Sequence, residues 1–341
     1  MQGPHLSYLD GWRGLAIGFL LIGHFLPVPG INLGAVGVDL FFVLSGLFMA
    51  RLLFIQEVPL RTFYRRRIAR IFPATLFFLA SIILLFAALS LKIAWPETWT
   101  AILFVKNYFP GEPGNALMPF GHIWSLSVEE HSYVLLSLLA LAARRHIMSA
   151  RTATAGAAML CACVALYYWS AVGLQADDMA WLRTEVSAFG IFFSGFLAIY
   201  FNRRPVPKTS WLVVTALVGL GIMLHWWSVP KPFRLIFGIG AFALAVNLLE
   251  GSPDRLKKIL SARLLRRLGT WSFSIYLWQQ PFYLLVHRNG IPPLPALALA
   301  LLFGVASFYC IEKPLREYLN RHGEHAGSSA AATAHLPDTS R

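Results

Sequence analysis

The chain has 341 residues, of which 57% are hydrophobic and 13% charged, and its mean hydropathy is +0.60. Soluble domains carry about 25% charged residues, so an ordinary globular enzyme, a disordered chain and a coiled coil are all excluded. The net charge of +13 would suit a nucleic-acid binder in a soluble protein. Here the basic residues follow membrane topology, and no nucleic-acid partner is expected.

The N-terminus, from Met1 to Asp10, lacks the basic region and small-residue cleavage site of a signal peptide, so the first apolar stretch is expected to remain in the mature chain. A spanning helix needs about 20 mostly apolar residues. On that ruler ten segments are predicted to span: 11–27, 33–55, 73–91, 123–142, 155–174, 185–202, 210–227, 233–249, 268–288 and 293–313. The fold class is therefore an all-α integral membrane protein, a polytopic bundle of about ten transmembrane helices. Segment 97–109, between Pro96 and Pro110, is too short and is expected to be interfacial or re-entrant. Residues 1–318 form one transmembrane domain. Residues 319–341 lose hydrophobic periodicity and are expected to be a disordered cytoplasmic tail.

Ten crossings put both termini on one side. With that side cytoplasmic, twenty-three of the 29 Lys and Arg residues lie inside and six outside, as the positive-inside rule requires. Cys161, Cys163 and Cys310 all sit within apolar runs and suit neither a disulfide framework nor a zinc site. Trp124, Trp226, Trp227 and Trp278 are expected in the interfacial belts.

Ionisable side chains inside a span are expensive and mark function by default. Arg13 and His24 lie eleven positions apart on the first span, only about 20° from a whole number of turns, and share a face with about 16 Å of rise between them. Asp39 opens the second span a short loop away. A carboxylate beside a histidine fixes its tautomer and supports general-base work; the plain alternative is helix bonding by His24 and capping by Asp39. Arg67 and Arg70 share a face just before the third span and suit a phosphate clamp; plain positive-inside anchoring also accounts for them. Glu129 and Glu130, beside His131 near the outer boundary of the fourth span, either hold an acceptor's hydroxyls or pair with an arginine. Adjacent helix residues point about 100° apart, so this Glu-Glu-His run is not expected to bind a metal. No Gly-x-x-x-x-Gly-Lys-Ser/Thr loop and no Gly-x-Ser-x-Gly elbow occurs, which argues against an ATP-driven pump and a serine hydrolase.

Five blocks in this order resemble the acyltransferase 3 family of membrane-bound acyltransferases, which modify surface polysaccharides, nodulation factors and macrolides. They are Tyr8-Leu-Asp-Gly-Trp-Arg-Gly-Leu-Ala with its Arg13-to-His24 spacing, Gly37-Val-Asp-Leu-Phe-Phe-Val-Leu-Ser-Gly46, and Arg67-Ile-Ala-Arg70 within Phe63–Pro73. Trp124-Ser-Leu-Ser-Val-Glu-Glu-His-Ser-Tyr133 and Glu312-Lys-Pro-Leu-Arg316 complete the set, so the resemblance runs from Tyr8 to about Arg316. In Ser274-Ile-Tyr-Leu-Trp-Gln-Gln-Pro281, Gln279 stands where many members have His.

The resemblance implies transfer of an acyl group, acetyl being the expected one, from cytoplasmic acyl-CoA to a hydroxyl of a glycan or glycosylated small molecule, in a bacterial inner membrane. It assigns Arg67 and Arg70 to the CoA phosphates, Arg13 to the thioester, His24 to the acceptor's proton with Asp39 as its orienting partner, and Glu129 and Glu130 to the acceptor. Direct transfer and an acyl-His24 relay both suit these residues. Acyl-CoA acts as a co-substrate, and no permanently bound cofactor is expected. A polytopic transporter or flippase, or a membrane scaffold, is the alternative that composition alone permits.

Overall fold

In a computed structural model of the chain, residues 7–109, 118–172, 179–202 and 204–321 are described, and a helix overlaps each of the ten predicted spans. They are α1 (Ser7–Phe25), α2 (Leu33–Ile55), α3 (Leu60–Ala88), the short α4 (Trp95–Ile102) and α5 (Ile123–Arg144). There follow α6 (Ala150–Ala171), α7 (Thr184–Asn202), α8 (Trp211–Met223), α9 (Lys231–Gly251), α10 (Asp254–Leu260), α11 (Arg263–Asn289) and α12 (Pro293–Arg321). The described residues contain no strand, only an isolated bridge between Ile31 and Trp226.

Seven of these helices, α2, α3, α5, α6, α7, α9 and α12, are long and apolar enough to cross a membrane. The other three predicted spans differ for physical reasons. Helix α8 has only 13 residues, α1 carries Asp10, Arg13 and His24, and α11 opens on Arg263, Arg266 and Arg267 and holds Gln279 and Gln280. Polar content and position go together. Helix α1 lies against α2 and α11, with Ala16, Ile17 and Leu20 fully buried. By contrast, α3, α6, α8 and α12 present large apolar side chains outward, such as Leu84 at 68% exposure and Met223 at 69%. That arrangement suits a lipid-facing surface around an interior that holds the polar groups.

Local chemistry explains the helix ends. The Asn32 side chain accepts from Ala35 N at 3.0 Å and caps α2, Ser210 caps α8, and Gly290 ends α11 in the left-handed conformation at φ +66. Two boundaries differ from expectation, while segment 97–109 is, as expected, too short to span. The sequence places the start of the third span at Pro73, but α3 runs through that proline from Leu60, so Arg67 and Arg70 lie two to three turns inside the helix. Segment 97–109 forms only α4, about 12 Å long and too short to cross. Helix α12 reaches Arg321, three residues into the segment assigned to the tail; residues 322–341 lie outside the described residues.

Helices α1 and α11 touch backbone to backbone. A Cβ on Gly269 would sit 1.9 Å from the Asp10 carbonyl oxygen, and one on Gly14 would sit 2.0 Å from that of Leu265. Backbone cannot yield as a side-chain end can. Gly269→Val is therefore expected to destabilise the fold by about 1–3 kcal/mol or more through forced separation of the pair. A lowered thermal midpoint in detergent, with lost activity, is the expected result.

Candidate active site

Arg13 and His24 both turn towards α11, as their spacing requires. Arg13 donates to Ser272 Oγ at 3.1 Å, and His24 Nδ1 meets Gln279 Oε1 at 2.8 Å. The Gln279 amide nitrogen points the other way, towards Gln280 Oε1 at 3.3 Å, so its oxygen faces the histidine. A carbonyl oxygen only accepts, which places the proton on His24 Nδ1 and leaves Nε2 with a free lone pair. That edge of the ring faces Gly34, where an added Cβ would sit 3.1 Å from Nε2.

The two residues open onto different cavities. Arg13 lines a cleft with Arg67, Arg70, Ser45, Glu129 and Tyr133. Arg67 is held from three sides: Nε and Nη2 donate to Glu130 Oε1 at 3.0 and 2.9 Å, Nη2 donates to Glu129 Oε2 at 3.1 Å, and the guanidinium lies 3.8 Å over the Tyr133 ring. Ser45 Oγ donates to the other Glu129 oxygen at 2.5 Å, tying α2 into the same knot. Arg13 and Arg70 meet no carboxylate among the described residues within ion-pair distance. Two cations thus face this cleft without a directly ion-paired carboxylate among the described residues, which suits an anionic ligand.

His24 lines a second cavity with Asn32, Asp39, His122, Lys231 and Arg234. Asp39 shares it but does not meet His24. Its carboxylate lies 2.9 Å from His225 Nε2, and His225 Nδ1 lies 2.6 Å from the Gly221 carbonyl. The backbone enforces this pairing, because Asn32 N donates to the His225 carbonyl at 3.0 Å and Trp227 N to that of Gly30 at 2.9 Å. The loop after α8 is thereby fastened to the start of α2. The orienting partner of His24 is Gln279, at the position where the resemblance leads one to look for another histidine.

Of the two alternatives for Glu129 and Glu130, the structure shows the pairing with an arginine. Both turn to Arg67, since two carboxylates inside an apolar helix are stabilised only by a cation within reach. Trp278 is buried against Phe78 rather than in a belt, while Trp226 and Trp227 are exposed.

Val38 and Tyr276 line both cavities and form the wall between them. The Tyr276 hydroxyl donates to the His122 carbonyl at 2.6 Å and lies 2.6 Å from Ser125 Oγ. His122 itself is 5% exposed, and neither ring nitrogen has a hydrogen-bond partner among the described residues. A buried polar group left so costs about 1–3 kcal/mol. Sequence reasoning passed over His122, His225, Ser272 and Tyr276. His225 and Tyr276 carried the usable signal, a polar group inside or at the end of an apolar run.

A family model described as an acyltransferase domain matches residues 6–311. Among curated proteins, the chain is 28% identical to BcsY of Komagataeibacter xylinus, which is named as a membrane-bound transacylase; the match covers 95% of this chain and 86% of that one. It is 25% identical to YrhL of Bacillus subtilis, named as a peptidoglycan O-acetyltransferase, over 92% of this chain and 55% of the relative. It is equally similar to the O-acetyltransferase OatA of Staphylococcus aureus, over 93% and 58%. The chain thus spans most of the first relative and little more than half of the other two. No solved structure matches it. The paired cavities and their basic residues belong to an acyltransferase, and the chain is a member of the acyltransferase 3 family.

Proposed function

We propose that the protein is an O-acetyltransferase of a bacterial inner membrane, crossing it ten times with both termini cytoplasmic. It moves acetyl from cytoplasmic acetyl-CoA to a hydroxyl of a glycan or glycosylated small molecule. The observation that carries this reading is the back-to-back pair of cavities, one faced by arginines and one by His24, with a common wall at Val38 and Tyr276. The names of two relatives, one of them a peptidoglycan O-acetyltransferase, support a glycan acceptor.

Acetyl-CoA is a polyanion with an apolar reacting end. Arg70 and Arg13 receive its phosphates and thioester from the cytoplasmic side, while Arg67 builds the cleft by holding α3, α5 and α2 together. The acceptor enters the histidine cavity from the far side. Its hydroxyl gives a proton to His24 Nε2 and attacks the thioester carbonyl; the C–S bond breaks, and the thiolate takes the proton back from His24. Gln279 keeps the imidazole in the tautomer this step requires, and Asp39 adds a fixed negative charge to the cavity wall.

Membrane vesicles of defined orientation test the donor and its side together. Acetyl-CoA added to inverted vesicles, with the cytoplasmic face outward, is expected to be consumed; sealed right-side-out vesicles are expected to leave it untouched. The opposite pattern would reverse the sidedness. No consumption by either, with folded protein that does not bind acetyl-CoA, would overturn the donor.

A further inference from the structure

His122 is an imidazole that the fold buries and leaves without a hydrogen-bond partner among the described residues. It stands at the start of α5, the position where a polar side chain ordinarily caps the helix, yet it makes no capping bond. Its backbone is fixed instead, the carbonyl accepting from both Tyr276 and Ser125. The ring packs against Phe78 and Tyr276, with centroids 5.6 and 5.2 Å away, so its orientation is held by aromatic contacts alone. Methionine or leucine would fill that space without stranding two polar atoms. His122 is also among the residues that line the histidine cavity, where His24 stands, next to the wall residue Tyr276; both ring nitrogens are covered in the resting fold.

We propose that His122 is a catalytic residue, donating its ring N–H to the carbonyl oxygen of the acetyl group as the acceptor attacks. This rests on the acetyl-transfer reading above. As the new C–O bond forms, the carbonyl electron pair moves onto oxygen and the negative charge there takes up the His122 N–H. The pair returns as the C–S bond breaks and the thiolate leaves with the proton held by His24. His122 loses no proton in the cycle. A neutral imidazole keeps one N–H in either tautomer, so the ring has a donor for the charge once the acetyl group reaches it. Its partner arrives with the reaction, which accounts for the ring having none among the described residues.

The test compares His122→Met and His122→Gln with the wild type, measuring kcat, KM for acetyl-CoA and thermal unfolding of the purified protein. His122→Met is expected to melt no lower than wild type, keep its KM, and lose about 10²- to 10³-fold in kcat, as for other missing oxyanion donors. His122→Gln, which retains an N–H, is expected to recover at least about tenfold of that loss, a recovery that a packing role would not produce. Wild-type kcat in His122→Met, or a lowered melting point with no recovery in His122→Gln, would overturn the proposal. Wild-type protein that neither binds nor consumes acetyl-CoA would overturn the acetyl-transfer reading, and this role with it.

Discussion

His24→Ala is expected to lower acetyl transfer by about 10²- to 10⁴-fold, the usual contribution of a positioned general base. The loss should fall on kcat, because the arginine cavity that takes the donor does not include His24. Some stability goes as well: Gln279 is fully buried, and without His24 its carbonyl oxygen has no donor. That leaves a penalty of about 1–3 kcal/mol, so rates must be compared well below the unfolding midpoint. Gln279→Leu separates the two effects. It keeps the base but frees its tautomer, and a smaller fall in kcat is expected. In the wild type, kcat/KM should decline on acidification as the imidazole takes a proton and ceases to act as a base. An unchanged pH profile in His24→Ala would mean that another group sets it.

Arg67→Ala is expected to act on folding before it acts on binding. Removing the guanidinium leaves Glu129 and Glu130 charged, adjacent and largely buried, with side chains 14% and 20% exposed. Breaking a buried ion pair from one side costs about 3–5 kcal/mol, a large part of the stability of an ordinary domain. The expected result is little folded protein in detergent. Restoring neutrality should restore the fold: Arg67→Met combined with Glu129→Gln and Glu130→Gln is expected to recover much of the loss, and a mutant cycle measures how much. Arg70→Gln is the cleaner probe of the donor. Arg70 meets no carboxylate among the described residues, so its loss strands no partner charge. The KM for acetyl-CoA is expected to rise about 10- to 100-fold, the worth of one charge-assisted hydrogen bond. An unchanged KM in folded Arg70→Gln would remove this residue from the donor site.

Much of the architecture was legible because membrane burial writes itself locally. A run of apolar residues long enough to cross lipid identified a helix at ten places, and boundaries slipped only where local signals conflict. Pro73 read as a start because proline usually ends a helix in water; inside a packed bundle the freed carbonyl is tolerated and α3 continues through it. Helices α1 and α11 are predicted as spans from sequence but fall short of the apolarity of the seven crossing helices. Their polar side chains lower their hydropathy, yet they run against each other in the interior, where those side chains find partners.

By itself the sequence determined the helical bundle, the family, and the common face of Arg13 and His24, since helical periodicity depends only on spacing along one segment. It did not determine which polar group each of them meets. His24 pairs with Gln279, 255 positions away, rather than with the nearby Asp39, and Asp39 pairs with His225, 186 positions away. Arg67 gathers Glu129 and Glu130 from α5, more than 60 positions away, and draws them out of reach of the histidine cavity. Partner choice follows from which helices lie side by side, and close backbone approaches such as Gly14 and Gly269 on α1 and α11 set that packing. The division of the site into two cavities with one wall is likewise a property of the packed bundle: Val38 and Tyr276 come from helices far apart in sequence and acquire a shared role only once both are in place.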